Sequence, residues 1–542
     1  MAAVVDALVD RGFQYKETTD SGWTVMTGAL ITLSGRYPCK LIFPNSLLTV
    51  PVIQLTEVPP HLLQVTPHLQ GDGTLCYAER DSLTFDYFDA VGQTLAYIER
   101  AEEVWEGILR GEYDDALHDE FFVYWTSISV NVYDDRNSRQ APVLQSFFME
   151  SPIQAGHGAD HDKSRLVLSD DTPKSKEKLT RAGWENFETL NRVHTVIRVS
   201  SAANQKPWPQ QWPLKTFSDF LGWQRFLDTA TAERIEKKLK KAYDKKYRMF
   251  HIIVDGPRSS HGILLILEVA PKMTYKEILA NDITPICLIP ISDTYMAERN
   301  TPRRKTLTGL RIVQVGCGTI GGFLAELLVK AGAGTLGGEL VLVDGEKLNS
   351  GNVGRHRLGF ESIDKSKARA LAAELGRGAP GADLTPYDEP VEDVDIGKFD
   401  LLIDATGDET LGHWLAENFS SKAPQLATWI EGPGVAVRSL LRTSSSGGCR
   451  RCLCDYRRAG AYLSTVEPLP VKKEGHGCEN LYVPFPATVS VQAACLAAEA
   501  VIDWANGVTT PNLRTRITNE GFTPATVNCL MPRRDECPAC TK

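Results

Sequence analysis

The sequence predicts a multidomain α/β protein, with a parallel-sheet unit in its C-terminal half behind an α+β first half. Three observations carry that reading. The run LRIVQVGCGTIGGFLAELLVKAGAG opens as a short apolar strand, turns at glycines and continues with Leu324, Leu327, Leu328 and Ala331 at helical spacing; a second strand-like run, ELVLVD, follows it. Upstream, the apolar runs MFHIIVD and GILLILEVA are bridged by GPRSSH as in a hairpin, behind a basic helical stretch, ERIEKKLKKAYDKKY. At 542 residues the chain has material for three or four domains of roughly 100–200 residues each.

Hydrophobic residues at 42% and charged residues at 23% are ordinary globular values and exclude global disorder. Lys plus Arg number 59 against 68 Asp plus Glu, a formal charge of −9, which disfavours nucleic acid and anionic membranes as main partners. The start, MAAVVDALVDRGF, carries Asp6 and Asp10 where a signal peptide needs an unbroken apolar run, and reads as an amphipathic helix. Without a membrane span of about 18 apolar residues, a cytoplasmic location is expected. Twelve Cys in such a chain point to metal ligands and reactive thiols rather than a disulfide framework.

Composition divides the chain into residues 1–150, a Gly-, Asp-, Ser- and Lys-rich linker over 151–183, a middle α+β region over 184–300 and a last part over 301–542. The second boundary lies at AERNTPRRKTLT. Lys237, Lys238, Lys240 and Lys241 are expected to form a solvated helix face, and no chemistry is assigned to the middle region.

Within 1–150, an apolar strand pattern gives way to prolines and a Gly-Asp-Gly turn that ends at Cys76. This stretch resembles the ubiquitin-conjugating family, whose active-site signature runs H-P-N, three residues, D-G, two residues, Cys. Thr66, Pro67 and His68 occupy the first triplet, and Asp72, Gly73 and Cys76 match the rest, with the spacing fully kept. The resemblance makes Cys76 the acyl-carrying thiol of a ubiquitin-conjugating-like domain. It places His68 where the family has an oxyanion-stabilising Asn; a His there can donate a hydrogen bond or shuttle protons.

In the last part, Gly316, Gly318 and Gly321 form G-x-G-x-x-G, a turn that lets a backbone and a helix N-terminus approach phosphates, and Asp344 ends the next strand at the spacing for a ribose hydroxyl. Taken alone, this Rossmann-like unit fits an NAD-dependent oxidoreductase, an ATP enzyme or a ligand-free glycine turn. The following DGEKLNSGNVGRHRLG, IDKSKARA and LLIDATGDE resemble the ThiF, MoeB and ubiquitin-activating adenylation family. That resemblance assigns Asn352 and Arg355 to its N-x-x-R pattern, Lys367 to its lysine and Asp408 to its metal-binding aspartate, with Asp404 at the strand end. Cations around a triphosphate and an acid for Mg²⁺ are what carboxylate adenylation with ATP requires.

Cys449 and Cys452 in CRRC, with Cys537 and Cys540 in CPAC, supply four thiolates, enough for a closed tetrahedral Zn²⁺ site; a redox-active C-x-x-C is the alternative. Cys478 lies in a Gly-rich stretch before a long apolar helix, where the adenylating family presents its thioester-forming cysteine, with His476 nearby. Cys454 is its rival, while Cys317 and Cys495 read as structural.

The order of parts resembles the fused transferases of bacterial CBASS anti-phage systems. That resemblance implies activation of the C-terminus of a cGAS-like nucleotidyltransferase, a thioester relay from Cys478 to Cys76, transfer to an acceptor amine on a target, and a homodimer in which Arg303 and Arg304 reach the partner's ATP. A MoeB-like sulfur-carrier adenylyltransferase and a nucleotide-regulated scaffold are the alternatives.

Overall fold

Alternating apolar residues over 14–44 and 52–55 form the strands of a meander, the first of three sheets among the described residues of the computed structural model. The structure describes all residues except 1, 45–49, 63–65, 79–85, 114–115, 138–144, 152–163, 190–193, 269–271, 420–421, 444–446, 472, 476–480 and 541–542, and the side chains of 61, 87, 127, 145, 189 and 194. The chain forms two compact units: residues 1–132, 142–145 and 190–289, and residues 133–141, 146–189 and 290–542.

In the first unit, α1 (Ala2–Asp10) leads into the antiparallel strands β1 (Gln14–Thr18), β2 (Trp23–Thr32), β3 (Gly35–Pro44) and β4 (Val52–Leu55), hydrogen-bonded in that order. Helix α2 (Ala90–Leu109) is N-capped by Asp89, whose Oδ1 accepts from the Gly92 N–H at 2.9 Å. Its Tyr97, Ile98, Ala101, Val104, Trp105 and Ile108 recur at helical spacing and bury onto Met26, Leu30, Leu41, Phe43 and Ile53. Each large apolar side chain buried this way contributes roughly 1.5–3 kcal/mol.

Helix α3 (Leu117–Ile128) has two working faces. Phe121 and Trp125, four residues apart, stack into an aromatic cluster with Trp212, Trp223 and His261. The Trp125 indole N–H also donates to the Ile286 carbonyl at 2.9 Å. Glu120 and Tyr124, also four apart, face elsewhere.

Strands β5 (Val130–Asp134), β6 (Gln145–Glu150) and β7 (Ser164–Ser169), helix α4 (Thr172–Arg181) and strand β8 (Glu185–Thr189) come next. Strands β6 and β8 pair antiparallel. The linker expected over 151–183 is therefore corrected: 164–181 form a strand and a helix. Helix α4 buries only Ser175 and Leu179, too little to mark it in the sequence. Its Lys178 is ordered by Asp135 at 2.7 Å and Asp293 at 2.9 Å.

Residues 190–289 cluster with residues 1–132 instead of standing apart. They comprise β9 (His194–Ser200), α5 (Phe217–Leu227), α6 (Thr229–Asp244), β10 (Met249–Asp255), β11 (Ser260–Ile266) and α7 (Tyr275–Ala280), and β12 (Ile283–Pro290) closes the region. The strands run in the order β12-β11-β10-β9. Strands β10 and β11 form the hairpin implied by the sequence, in register from Met249↔Ile266 to Asp255↔Ser260. Helix α6 buries Ile235, Leu239 and Tyr243 and leaves Lys237, Lys238, Lys240 and Lys241 in solvent.

After α8 (Asp293–Glu298) the second unit builds its main sheet from β13 (Arg311–Val315), β14 (Glu339–Val343), β15 (Leu384–Tyr387), β16 (Leu401–Asp404), β17 (Gln425–Glu431), β18 (Ala436–Arg442) and β19 (Leu513–Ile517). The order is β15-β14-β13-β16-β17-β18-β19, parallel through β17 and antiparallel beyond it. Helices α9 (Thr319–Lys330), α10 (Ser350–Val353), α11 (Lys367–Gly378), α12 (Glu409–Phe419), α13 (Arg450–Arg458) and α14 (Ala487–Ala505) complete it. Leu324, Leu328, Leu371, Ala493 and Ala497 from the helices share one core with Ile312, Leu340 and Ile403 from the strands. Among the described residues, no helix is long and apolar enough to cross a membrane.

Candidate functional site

Strand order places the first site. Neighbours β14 and β16 flank β13, and a crevice opens at the carboxyl ends of such strands, where open α/β sheets take ligands. A cavity of about 970 Å³ lies there, lined among others by Gly316, Gly318, Asp344, Lys367, Asp408 and Phe485. Gly316 has φ +94°, and a Cβ on it would lie 2.9 Å from the Ala405 backbone. A Cβ on Gly321 would come within 1.9 Å of the Gly316 carbonyl oxygen, so the start of α9 can approach the turn only without a side chain there. Around Gly318, the N-cap of α9, nothing would meet a Cβ within 4 Å, which leaves the helix N-terminus open to an anionic group. Buried Gln314 ties the arrangement together by donating to the Gly316 and Gly321 carbonyls at 3.1 and 2.9 Å.

Asp344 lines the cavity and shapes it: its Oδ2 accepts from the Cys317 N–H at 2.7 Å and its Oδ1 from the Glu346 N–H at 2.9 Å. Buried Lys367 pairs its Nζ with exposed Glu346. Asp408 is exposed on the wall, while Asp404 is buried, accepts from the Thr406 N–H and Oγ1 at 3.0 and 2.6 Å, and does not line the cavity. Burial raises the Asp404 carboxyl pKa. Asn352 caps its own helix with Asn349 and is not on the wall. Arg355 is not on it either. Its Nη1 donates to the Val483 carbonyl at 2.9 Å, and its guanidinium lies 4.2 Å over the Phe485 ring; both of those residues line the cavity. An open helix N-terminus, a lysine and an exposed carboxylate facing one space fit a triphosphate and its divalent cation.

The four paired cysteines converge. Cys449 Sγ lies 3.8 Å from Cys452 Sγ and 3.7 Å from Cys537 Sγ, and Cys452 Sγ lies 3.7 Å from Cys540 Sγ. All four are buried. A tetrahedron of metal–sulfur bonds of about 2.3 Å requires sulfurs about 3.8 Å apart, so the set fits a thiophilic ion. A second cluster of Glu409, His413 and Cys454 has ligand-type atoms, but Arg450, Arg451 and Arg458 bear on His413 and oppose a dication there. Cys454 is buried and donates to Glu409 Oε1 at 3.0 Å; burial raises its thiol pKa, which disfavours the reactive thiolate. Cys317 is buried and pushed up likewise. Cys478 and His476 lie outside the described residues.

In the first unit, Cys76 is exposed at the end of the predicted turn. Gly73 has φ +86°, and a Cβ on it would meet the Leu55 carbonyl oxygen at 2.4 Å, so the turn lies flat on β4. The Cys76 N–H donates to the His68 carbonyl at 2.8 Å. His68 itself has φ +63°, and this curl is held by its N–H donating to Glu120 Oε2 at 2.9 Å. Its Nδ1 lies 2.9 Å from Glu120 Oε1, and Tyr113 meets the ring edge-on at 4.7 Å. Hydrogen bonds to Cys76 first and Glu120 second raise the imidazole pKa from 6.5 to about 9, against the cost of burial. Burial works against a charged Glu120, but bonds from His68 and Tyr124 more than offset it and hold the carboxyl below its usual range.

The ThiF family profile matches residues 293–539 and the prokaryotic E2 family B profile residues 13–133. The ATP-dependent ubiquitin transferase-like protein Cap2 of Pseudomonas aeruginosa (strain BWHPSA011 / Pa011) is 39% identical over 100% of this chain and 98% of its own length. The chain belongs to the Cap2 family. The Escherichia coli (strain TW11681) Cap2 is 23% identical over 99% of this chain and 96% of its own. Among solved structures, E. coli MccB with ATP aligns at TM-score 0.33 and 17% identity, over 43% of this chain and 67% of that one. As a Cap2-family chain, the protein is an activating and conjugating enzyme of ATP-dependent ubiquitin-like conjugation, in which a ThiF-type domain follows a conjugating-type one.

Three participants escaped the sequence reading of this Cap2-family chain: Glu120, Glu346 and His356. The His356 Nδ1 accepts from the Leu358 N–H at 3.0 Å, so its Nε2–H donates to the Cys317 carbonyl at 2.8 Å and steadies the glycine turn. Only Glu346 had a local signal, as a carboxylate in the run between Asp344 and Lys367.

Two outcomes are expected. Elemental analysis should find one thiophilic ion per chain, and Cys537→Ser with Cys540→Ser should lose it and speed amide exchange over 449–454; two ions, or none, would contradict the assignment. The raised His68 pKa contributes stability that is complete below pH 6.5 and lost as pH rises through about 9. The difference in melting temperature between wild type and His68→Gln should therefore shrink from pH 6.5 to pH 10. A difference that grows over that interval would reverse the sign and reject the pairing.

Proposed function

We propose that this chain activates the C-terminal carboxylate of a partner protein with ATP and passes the acyl group through Cys478 and then Cys76 to an amine. The observation that carries the reading is the single cavity shared by the glycine turn, Lys367 and Asp408. There the carboxylate oxygen attacks the α-phosphorus of ATP, giving acyl adenylate and pyrophosphate. The α9 amides and Lys367 neutralise phosphate charge. Mg²⁺, held by Asp408, would screen the triphosphate when bound. Asp344 is assigned to the ribose. Arg355 acts by fixing Val483 and Phe485 on the wall, with Asn352 bracing the helix before it; Asp404 shapes the turn beneath Asp408.

The Cys478 thiolate displaces AMP to form a thioester, and Cys76 takes the acyl group by transthiolation. An amine nitrogen then attacks the Cys76 thioester; the amide forms, the thiol is released and the amine proton passes to solvent. His68, held at Nδ1 by the Glu120 carboxylate, suits donation to the developing oxyanion better than proton abstraction. Zinc is the ion proposed for the four cysteines, where it would tie the C-terminal tail to α13. The partner implied by the CBASS resemblance is a cGAS-like nucleotidyltransferase, and the site of action the cytoplasm. A homodimer is part of the proposal, although Arg304 is engaged by Asp503 at 2.7 Å within its own chain.

Asp408→Ala should lower ATP–pyrophosphate exchange, measured with a cGAS-like nucleotidyltransferase bearing an intact C-terminus, by roughly a hundredfold or more. Exchange retained within a fewfold would remove Asp408 from the metal site.

A further inference from the structure

Glu120 belongs to no motif, yet it holds the residue beside the acyl-carrying thiol at two points. One of its oxygens accepts from the His68 backbone N–H at 2.9 Å, which fixes a left-handed residue, and the other lies 2.9 Å from His68 Nδ1. With Nδ1 held against the Glu120 carboxylate as an ion pair, Nε2–H is the donor left for the thioester side. Tyr124, one turn further on, donates to the Thr66 carbonyl and so fixes the backbone two residues before His68. Among the described residues, the groups that face His68 are Cys76, Glu120 and Tyr113, with Tyr124 against Glu120.

What aims Glu120 is the middle region. Helix α3 carries Glu120 and Tyr124 on the side toward His68, and Phe121 and Trp125 into a core shared with Trp223, Ile252, Ile263 and Leu265. The Trp125 bond to the β12 carbonyl fixes the helix against sliding or rotation. A surface helix without that anchor would have no reason to present a carboxylate at one spacing from the turn.

We propose that Glu120 is a positioning residue for acyl transfer from Cys76, orienting His68 toward the thioester, and that the middle region serves to anchor the helix that delivers it. The proposal rests on the reading above, in which Cys76 carries the acyl group and His68 acts on it. A carboxylate that orients a histidine beside a thiol is the arrangement by which thiol sites keep one ring nitrogen aimed at the reacting group.

The test uses the full chain and a small acyl donor. The thiophenyl ester of acetylglycine exchanges with the Cys76 thiol, releasing thiophenol; n-butylamine then converts the thioester to the butylamide and frees the thiol. The rate is followed by mass spectrometry of the Cys76 peptide and corrected for free amine. In wild type it should fall as pH rises beyond the ordinary histidine range, where His68, paired with Glu120, loses its charge. Glu120→Gln, which keeps the acceptor for the backbone N–H, should be slower by roughly tenfold to a hundredfold at pH 7.5. Its descending limb should move toward the ordinary histidine range. The double variant Glu120→Gln, His68→Gln should react at the rate of His68→Gln alone.

Glu120→Gln at the wild-type rate beside a slow His68→Gln overturns the positioning role and leaves the reading beneath it standing. A slower Glu120→Gln with an unmoved limb marks a merely structural part and overturns it too, as does a further loss in the double variant. His68→Gln at the wild-type rate overturns the underlying reading, and this inference with it.

Discussion

The close approach of α9 to the turn after β13 is the constraint on which the adenylating half depends. A helix N-terminus offers unpaired amides to phosphate only if it reaches the strand end, and here the position of a Cβ on Gly321 lies 1.9 Å from the Gly316 carbonyl oxygen. No other residue type permits that distance. Once the approach is made, Gln314 bonds both carbonyls, His356 bonds the next one, and Asp344 takes the Cys317 N–H, so the carbonyls of the turn are held while the α9 amides stay open to the cavity.

The conjugating half solves a different problem, since the acyl-carrying role proposed for Cys76 needs an exposed thiol among rigid neighbours. Cys76 reaches solvent from a turn lying flat on β4, and the strained backbone of His68 is fixed by a carboxylate on α3. That helix is held by stacked aromatic rings and an indole hydrogen bond. The middle region is thus part of the conjugating unit's architecture, which accounts for its clustering with residues 1–132.

What the sequence revealed and concealed follows from how local each signal is. The glycine turn, the strand Leu401–Asp404 and the two C-x-x-C pairs were legible because their chemistry is written in spacings of a few residues. Motif order also named Arg355 and Asp404, but order does not give orientation: Arg355 turned to Val483 and Phe485, and Asp404 sank beneath the turn. The polar stretch before Trp184 concealed a strand and a helix because α4 buries one apolar residue, Leu179, and gains its order from the half-buried Lys178 paired with buried Asp135. Glu120 was illegible because its role arises from the packing of Phe121 and Trp125 against residues far along the chain, including Trp223 and His261.

The proposed relay runs one way: the adenylate is read first by Cys478 and only then by Cys76. Site-resolved mass spectrometry of thioesters formed on Cys478→Ala protein, supplied with ATP and a cGAS-like nucleotidyltransferase, tests it most directly. The relay predicts acyl adenylate with Cys76 unloaded, whereas Cys76 charged at the wild-type rate would contradict it and make the conjugating domain the direct reader of the adenylate.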